Sequence, residues 1–416
     1  LRFLTCAAIR IIEHLMPVRA TKRGPERTRL ERDCDVLICG ASFAGLAVAR
    51  ELAGSGARVL MIDRYEIGER QTSACGIPTD WLYALDLQGS LLQSFDEIVV
   101  HTPFRSGRWS LPWTFSTFDY KELCALLFTQ ARQARPHNSH APILSSSTRA
   151  EIEFETAAVT GRDGFVVHTD RGDLSAPLIV DALGWRRVLS GAAHPIQPPN
   201  ARLSRGLEVH PAGSGEEMEL WIDPRYIRSG YSWSFPARDE LRVGVGSFWP
   251  THHVKEPTVR LAADLGLPPD GYQGNWIPHQ IRSAVEDGVF FVGDSAGHCL
   301  PVTAEGIRTA LYFGLACGRE LRGVVEGRQA REDALRRYGN FSDSHAWKFR
   351  SLLQVQRLIG QLTPTRAVTA ITRALEHRRV SDWAFEHYLR IAPPSFVNGG
   401  SQPTTGKARL RAPATA

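Results

Sequence analysis

Two aspartates close apolar runs that lead into small-residue turns. Asp63 ends VLMID, 23 residues after Gly40, and Asp294 follows VFFVG in the second half of the chain. A carboxylate at the end of a buried strand can accept hydrogen bonds from sugar hydroxyls, while the N–H groups of a neighbouring turn and helix start hold phosphate. A strand-end Asp can equally cap a helix or a turn. A third group is aromatic. Tyr231, Trp233 and Phe235 alternate in GYSWSFP, and Gly244 and Gly246 alternate in the GVG that follows. Rings at every second position share one strand face. Glycines on the returning strand remove side chains where a ligand or a ring passes. The face can line an apolar cavity or be an ordinary aromatic core.

The elements that must position these groups can be read around them. DVLICGASFAGLAVARELAGSGARVLMIDR (35–64) gives a strand at Val36–Cys39, a glycine turn, a helix over Ala44–Leu52 and a strand at Val59–Ile62. Gly40 permits the tight turn and Gly45 the close packing of helix on strand. Ser42 stands where a middle glycine is usual, and Phe43 and Ala44 complete the approach to the helix N-terminus. This is a dinucleotide-binding unit. Asp63 favours a ribose without a 2′-phosphate, which fits FAD or NAD. FAD needs a second set of contacts for its ribityl chain and ring. VFFVGDSAGHCLPVTAEGIRTALYFGLACGREL (289–321) supplies a strand, Gly293–Asp294, a Gly/Pro loop and a long helix from about Gly306. Hairpin geometry explains 230–246, with Arg238, Asp239 and Glu240 in its exposed turn.

Residues 35–64 together with GDSAG (293–297) resemble FAD-dependent oxidoreductases of the para-hydroxybenzoate hydroxylase-like superfamily. GYSWSFP…GVG resembles the signature of the geranylgeranyl reductases within it. The resemblance implies that Asp294 binds a ribityl hydroxyl and that Pro301, Ala304, Glu305, Gly306 and Ile307 lie beside the flavin pyrimidine ring. It implies a reactive thiol at Cys75, in the Cys75–Gly76 pair near the isoalloxazine, against the alternative of a buried packing thiol. LIVDALG (178–184) resembles the superfamily's DG motif, with Asp181 orienting loops around the cofactor and Ala182 in place of a glycine. Ala304 likewise replaces a glycine. Tyr231 and Trp233 then face the reaction, and Tyr231, Trp233, Phe235, Gly244 and Gly246 line the substrate. LPWTFSTFDYKELCALL (111–127) reads as a link into a helix passing the cofactor. It lacks the usual preceding arginine, so pyrophosphate neutralisation must come from elsewhere, with Arg64 and Arg70 as candidate sources or, alternatively, plain surface charges. Arg186 and Arg187 read as solvated.

The 416 residues carry 43% hydrophobic and 22% charged side chains, enough for a large core and unlike a disordered chain. A net charge of +5 is mild and gives no footprint for nucleic acid. Seven scattered cysteines without a CxxC argue against a disulfide scaffold and a zinc knuckle, suit a reducing compartment, and leave no metal site to assign. Cys124 and Cys317 fall in apolar helical patterns. The fold expected is α/β: a Rossmann-like FAD-binding domain (35–90, 116–190, 281–322) interleaved with an antiparallel-sheet substrate domain (91–115, 191–280), then C-terminal helices (323–395). A basic extension (1–34) and a structureless tail (396–416) flank it. Met16 is a candidate natural start. The extension reads as poorly ordered, or as an interfacial anchor through Leu4, Ile11, Ile12 and Leu15. The C-terminal helices read as a cap or as a peripheral membrane contact, in a cytoplasmic protein at the inner face of the membrane. The function expected is FAD-dependent hydrogenation of C=C bonds in a geranylgeranyl or polyprenyl lipid, with electrons from NAD(P)H, ferredoxin or another electron-transfer partner. Flavin-dependent monooxygenation or halogenation, redox-neutral isoprenoid cyclisation and non-enzymatic FAD sensing are the alternatives.

Overall fold

The computed structural model describes residues 28–133, 151–191, 203–361 and 366–399. The calls on Met16 and on Leu4, Ile11, Ile12 and Leu15 lie outside these residues. The first layer grows from β1 (Val36–Cys39), whose four apolar side chains are all buried. A strand covered on both faces has no polar side to show, and this explains the unbroken VLIC run. Gly40 turns the chain into α1 (Phe43–Leu52), which returns it to β2 (Arg58–Asp63), parallel to β1. β6 (Glu151–Thr156), β10 (Leu178–Asp181) and β17 (Val289–Phe291) extend this parallel sheet, and β16 (Val285–Glu286) adds an antiparallel edge. Strand order is β16-β17-β10-β1-β2-β6, so the two acid-bearing strands sit on either side of β1 and β10. A small meander, β7 (Val159–Asp163), β8 (Val166–Thr169) and β9 (Gly172–Ser175), follows β6.

The second layer is a mostly antiparallel sheet of order β15-β11-β14-β13-β12-β4-β5-β3. It contains β3 (Gly76–Pro78), β4 (Leu91–His101), β5 (Ser106–Phe118), β11 (Leu203–Val209) and β12 (Glu219–Trp221). The hairpin of β13 (Gly230–Ala237) and β14 (Glu240–Ser247) lies at its middle, and β15 (Gln273–Pro278) closes one edge. The 111–127 segment differs from the link expected. Its first half belongs to the thirteen-residue strand β5, and α3 (Tyr120–Arg132) begins only after Asp119 caps the Glu122 N–H at 2.9 Å. Alternating Trp109, Leu111, Trp113 and Phe115 explain the strand, because period two overrides the weak helical reading.

Helices cover the remaining faces. α2 (Thr79–Ala84) follows β3, and α4 (Lys255–Asp264) packs on β14 and β11. α5 (Ile307–Val325) lies along α1, where a Cβ at Gly314 would meet the Ala44 carbonyl at 2.6 Å. Absence of a side chain there lets the two helices touch. α6 (Arg331–Gln361), α7 (Arg366–Leu375) and α8 (Arg378–Leu389) complete the C-terminal region. Two termini are more ordered than their composition suggests. Leu30 is buried and its N–H donates to the Arg171 carbonyl at 2.8 Å. Phe396 packs on Tyr312 with ring centroids 4.4 Å apart, and Arg319 donates to the carbonyls of Phe396 and Val397 at 2.9 Å. Residues 396–399 are therefore part of the packed body, because an arginine and an aromatic cluster receive them.

Candidate functional site

The α1 N-terminus sits where the sequence places it. Leu46 N–H is bonded to the Ser42 carbonyl at 2.9 Å. The N–H groups of Phe43, Ala44 and Gly45 precede the first intrahelical acceptor and point out of the helix start. Ser42 caps nothing with its hydroxyl, which instead accepts from Tyr120 at 3.2 Å. A Cβ at Gly45 would collide with the Gly40 carbonyl, and one at Gly40 with the Ala182 carbonyl. Those two glycines thus bring α1, β1 and the 182–184 turn together. Asp63 accepts from Ala41 N–H at 2.8 Å and Tyr65 N–H at 3.2 Å. Burial raises its pKa, and these backbone donors oppose the rise. Each carboxylate oxygen keeps a second lone pair for a sugar hydroxyl.

Asp294 differs. Among the described residues no donor is hydrogen-bonded to its carboxylate, and burial raises its pKa to about 6 against the pull of Arg282. It stands beside the α5 N-terminus: a Cβ at Gly306 would lie 3.6 Å from its Oδ1 and 3.4 Å from Cys299 Sγ. Ala310 N–H bonds back to Gly306 at 2.8 Å, so the N–H groups of Ile307, Arg308 and Thr309 form the open first turn. The described residues include two helix N-termini, one near Asp63 and one near Asp294, and a half-buried carboxylate, Asp294, lacking donors. That donor set fits an extended dinucleotide with a hydroxylated linker.

Pro301, Val302, Thr303, Ala304 and Glu305 form a tight loop closed by the Leu300 N–H to Glu305 carbonyl bond at 3.0 Å. Val302 (φ +74°) and Ala304 (φ +53°) both adopt left-handed backbone, which disfavours residues with a Cβ. Surrounding bonds hold the loop there. Tyr231 hydroxyl donates to the Thr303 carbonyl, and the Thr303 hydroxyl pairs with Tyr388 hydroxyl of α8. Glu305 accepts from Arg308 at 2.6 and 2.8 Å. Arg308, fully buried, also donates to the carbonyls of Leu389 and Ala392 at 3.0 Å.

The aromatic hairpin faces this loop. Tyr231, Trp233 and Phe235 pair in register with Gly246, Gly244 and Arg242. A Cβ at Gly244 would collide with the Trp233 indole, and one at Gly246 would lie 3.4 Å from it. The glycines thus seat the indole, whose N–H donates to Glu208 at 3.2 Å. Gly244 and Gly246 lie beneath the Trp233 ring, so any ligand on this face meets the ring first. A second ring cluster joins β5 to α8. Phe385 packs on Trp113 at 6.0 Å and Trp109 at 6.3 Å, and Trp113 on Phe115 at 6.4 Å. Phe115 in turn covers Gly76, where a Cβ would collide with its ring.

Cys75 lies beneath Gly76, fully buried, in left-handed backbone at φ +51°. Burial raises its pKa well above that of an ordinary thiol, so it is a neutral thiol. Arg242 holds its loop by donating to the carbonyls of Ala74 at 2.8 Å and Phe118 at 3.0 Å, while pairing with Glu240 at 2.8 Å.

Two expectations need correction, and a third, on Arg64 and Arg70, falls on its surface alternative. Asp181 is fully buried, and it accepts from Leu183 N–H, Leu189 N–H and the Ser295 hydroxyl at 2.9, 2.8 and 2.6 Å. It orients the loops on both sides of Asp294, as expected, but has no surface left for the direct cofactor contact also expected of it. Arg187 is not solvated. It pairs with Glu286 at 2.8 Å, donates to the Ser295 carbonyl at 2.8 Å and covers the Phe291 ring at 3.6 Å. Arg64 and Arg70 are exposed and both engage Tyr65, Arg64 over its ring at 4.8 Å and Arg70 at its hydroxyl. Both lie at the surface, and Arg64 is close enough to Asp63 for its charge to lower that carboxylate's pKa.

Arg242, Arg308, Tyr388, Trp109 and Trp113 were not singled out from sequence. Arg242 carried a usable signal: it alternates with Gly244 and Gly246, so it lies on the glycine face of β14 across from Phe235. Tyr388 and Arg308 carried none, since their contacts join segments about 80 residues apart.

An FAD-binding domain model matches residues 33–104. Digeranylgeranylglycerophospholipid reductase 3 of Methanosphaera stadtmanae is 25% identical over 342 residues, covering 76% of this chain and 84% of that one. Among solved structures, a geranylgeranyl bacteriochlorophyll reductase-like protein from Thermoplasma acidophilum superposes with a TM-score of 0.71 at 16% identity, over 88% of this chain and 98% of that one. The flavin-dependent brominase Bmp2 superposes at 0.55 and 16% identity, over 86% of this chain and all of the other. The chain carries an FAD-binding domain on the α/β scaffold these proteins share, and it is homologous to the digeranylgeranylglycerophospholipid reductases.

Proposed function

We propose that this protein uses FAD to hydrogenate C=C bonds of an isoprenoid lipid. One observation carries the reading: two aromatic clusters stand on the same sheet, Trp113 and Phe115 of β5 with Phe385 of α8, and Tyr231, Trp233 and Phe235 of β13, the second tied by Tyr231 to the loop before α5. Rings without charge suit an alkene chain that offers no polar handle. Homology to reductases named for a digeranylgeranyl lipid supports the same substrate class.

Bound FAD, once reduced, supplies a hydride to one alkene carbon. The protein supplies position, a dry site and the proton for the other carbon. The α1 first turn holds pyrophosphate, Asp63 the adenosine ribose and Asp294 the ribityl chain. Residues 301–307 hold the ring edge, with the α5 N-terminus favouring negative charge there. Tyr231 and Trp233 wall the alkene. Cys75 keeps its proton because burial disfavours the thiolate, and it stands behind Gly76 as the donor. Electrons come from outside, from a nicotinamide nucleotide or a ferredoxin-type protein.

The lipid reaches the site from a membrane surface in this reading. Phe104, Ile371, Val380 and Trp383 are 67%, 48%, 40% and 64% exposed. Arg105 pairs with Glu376 at 2.8 Å, bringing the β4–β5 tip that bears Phe104 against the end of α7. Arg373, Arg378 and Arg379 are exposed around these apolar side chains, a charge pattern complementary to anionic lipid. Among the described residues no helix is long and apolar enough to cross a membrane.

Anaerobic photoreduction followed by a polyprenyl lipid tests the chemistry. Expected is flavin reoxidation with two hydrogens gained per alkene. Reoxidation only after O₂ is admitted, with an oxygenated product, would replace the proposal. Cys75→Ser keeps FAD and loses at least tenfold in turnover; unchanged turnover removes the thiol from the mechanism. Trp383→Asp lowers co-sedimentation with phosphatidylglycerol vesicles severalfold, and equal sedimentation of both proteins argues against the surface.

A further inference from the structure

A cavity of about 430 Å³ lies between the 279–283 loop and the middle of α6, within the range of small-ligand sites, about 300–1,000 Å³. Its walls divide by chemistry. Ile281, Ala346, Phe349 and Leu353 are apolar, while Arg282, Arg350 and Arg357 bring three guanidinium groups against one carboxylate, Asp343. Buried arginines elsewhere are paired: Arg187 with Glu286, Arg242 with Glu240, Arg308 with Glu305. Here, where Arg282 and Arg357 are half-buried and Arg350 is exposed, the arginines have no such partner. Arg282 donates to the Trp185 carbonyl at 3.3 Å, and Arg357 reaches Gln354 at 3.4 Å with its buried Nε unbonded. Among the described residues no carboxylate comes within ion-pair distance of these three. Burial and the neighbouring Arg187 lower the Arg282 pKa, and the charges of Asp294 and Asp181 oppose that fall without an ion-pair contact. His279, pushed down to about 3 by burial, stays neutral and adds no charge.

The cavity adjoins the Asp294 end of the site. Arg282 N–H donates to the Ala296 carbonyl at 3.0 Å, and a Cβ at Gly297 would collide with the Gln280 carbonyl. We propose that this cavity recognises a phosphate or diphosphate group, its three guanidiniums taking the oxygens and its apolar wall the carbon stem. The source is the phosphorylated head of the lipid or a free phosphate ion. Guanidinium geometry matches phosphate oxygens two at a time. The lipid source rests on the proposed function; the site does not.

Equilibrium dialysis of the FAD-loaded protein tests it with three probes: geranylgeranyl diphosphate, geranylgeraniol and inorganic pyrophosphate. Arg350→Glu and Arg357→Glu each weaken the diphosphate lipid at least tenfold and the alcohol less than twofold. Pyrophosphate bound as tightly as the lipid supports the site with the free ion as its source; pyrophosphate bound more weakly supports the lipid head. No loss in either variant, or an equal loss for alcohol and diphosphate, overturns the site. Unchanged flavin absorbance and melting temperature establish that the variants are folded, and Arg350→Lys, which keeps the charge without the fork, binds between wild type and Arg350→Glu. Arginine-dependent binding of a lipid that is never hydrogenated removes the proposed function and leaves the site standing. Hydrogenation with affinity unaltered in both variants does the reverse.

Discussion

Asp294 sets binding against stability. Its pKa is about 6 in the fold and near 3.8 in an unfolded chain. Between those values the folded state holds a proton that the unfolded state has released. Stability therefore falls as pH rises from about 4 to 6 and stays lower above that. FAD-free Asp294→Asn should melt above FAD-free wild type at pH 7.5, and the gap should close as pH falls toward 4; a gap independent of pH contradicts the burial argument. The same carboxylate should matter in the opposite sense for the cofactor. A hydrogen bond to a charged group contributes about 1.5–3 kcal/mol, so Asp294→Ala should weaken FAD about ten- to a hundredfold, read by fluorescence titration. Ala304 is a smaller case. It holds left-handed backbone at a cost of about 1–2 kcal/mol, so Ala304→Gly should raise the denaturation midpoint. No rise would mean that the loop relaxes around the methyl group. Both residues were legible in sequence, because a strand-end acid and a glycine-rich loop are local patterns. Arg187 was not: an arginine beside another in a loop looks solvated until Glu286, 99 residues on, is found against it.

The β13–β14 hairpin is the element on which the substrate face depends. Its register puts Gly244 under the Trp233 ring and Gly246 at its rim. Gly244→Ala should displace the indole and cost about 1–3 kcal/mol, as overpacking does. Gly246→Ala, with ordinary contact distance to the ring, should cost much less. Denaturant midpoints with tryptophan fluorescence check the pair, and equal effects would contradict the seating of the ring. The hairpin was readable because its alternation is strict over both strands. β5 is harder to read, because its last residue stands one residue before the Asp119-capped helix and the two patterns run together. Its tryptophans gain meaning only from Phe385 on α8, a contact spanning 272 residues that no local period reports.

At the scale of the molecule, the sheet order separates neighbours in space from neighbours in sequence. β1 lies one strand from β17, although some 250 residues divide them. The division into two sheets and a helical end could be read from the spacing of strand, glycine and acid. The docking of the chain's last described residues could not, since NGGSQPTTG has no period while Arg319 and Tyr312 receive the segment just before it. Deleting residues 378–399 should release Thr303 and Arg308 together and weaken FAD binding while leaving β-sheet circular dichroism largely intact. Undiminished flavin affinity would mean that Tyr231 alone suffices to hold the loop.

The two hydroxyls that converge on Thr303 come from β13 and α8, and the Trp81 indole reaches the Ala392 carbonyl at 3.2 Å. A ribosome making this protein exposes the pyrophosphate turn early and the ring-edge loop late. It cannot finish bracing that loop until residue 392 has cleared the exit tunnel. Nascent chains stalled short of that point can present a nucleotide cradle without its far wall. On the proposed assignment of that loop to the flavin, lasting capture of the cofactor waits for α8, and flavin retention reports whether synthesis ran through it.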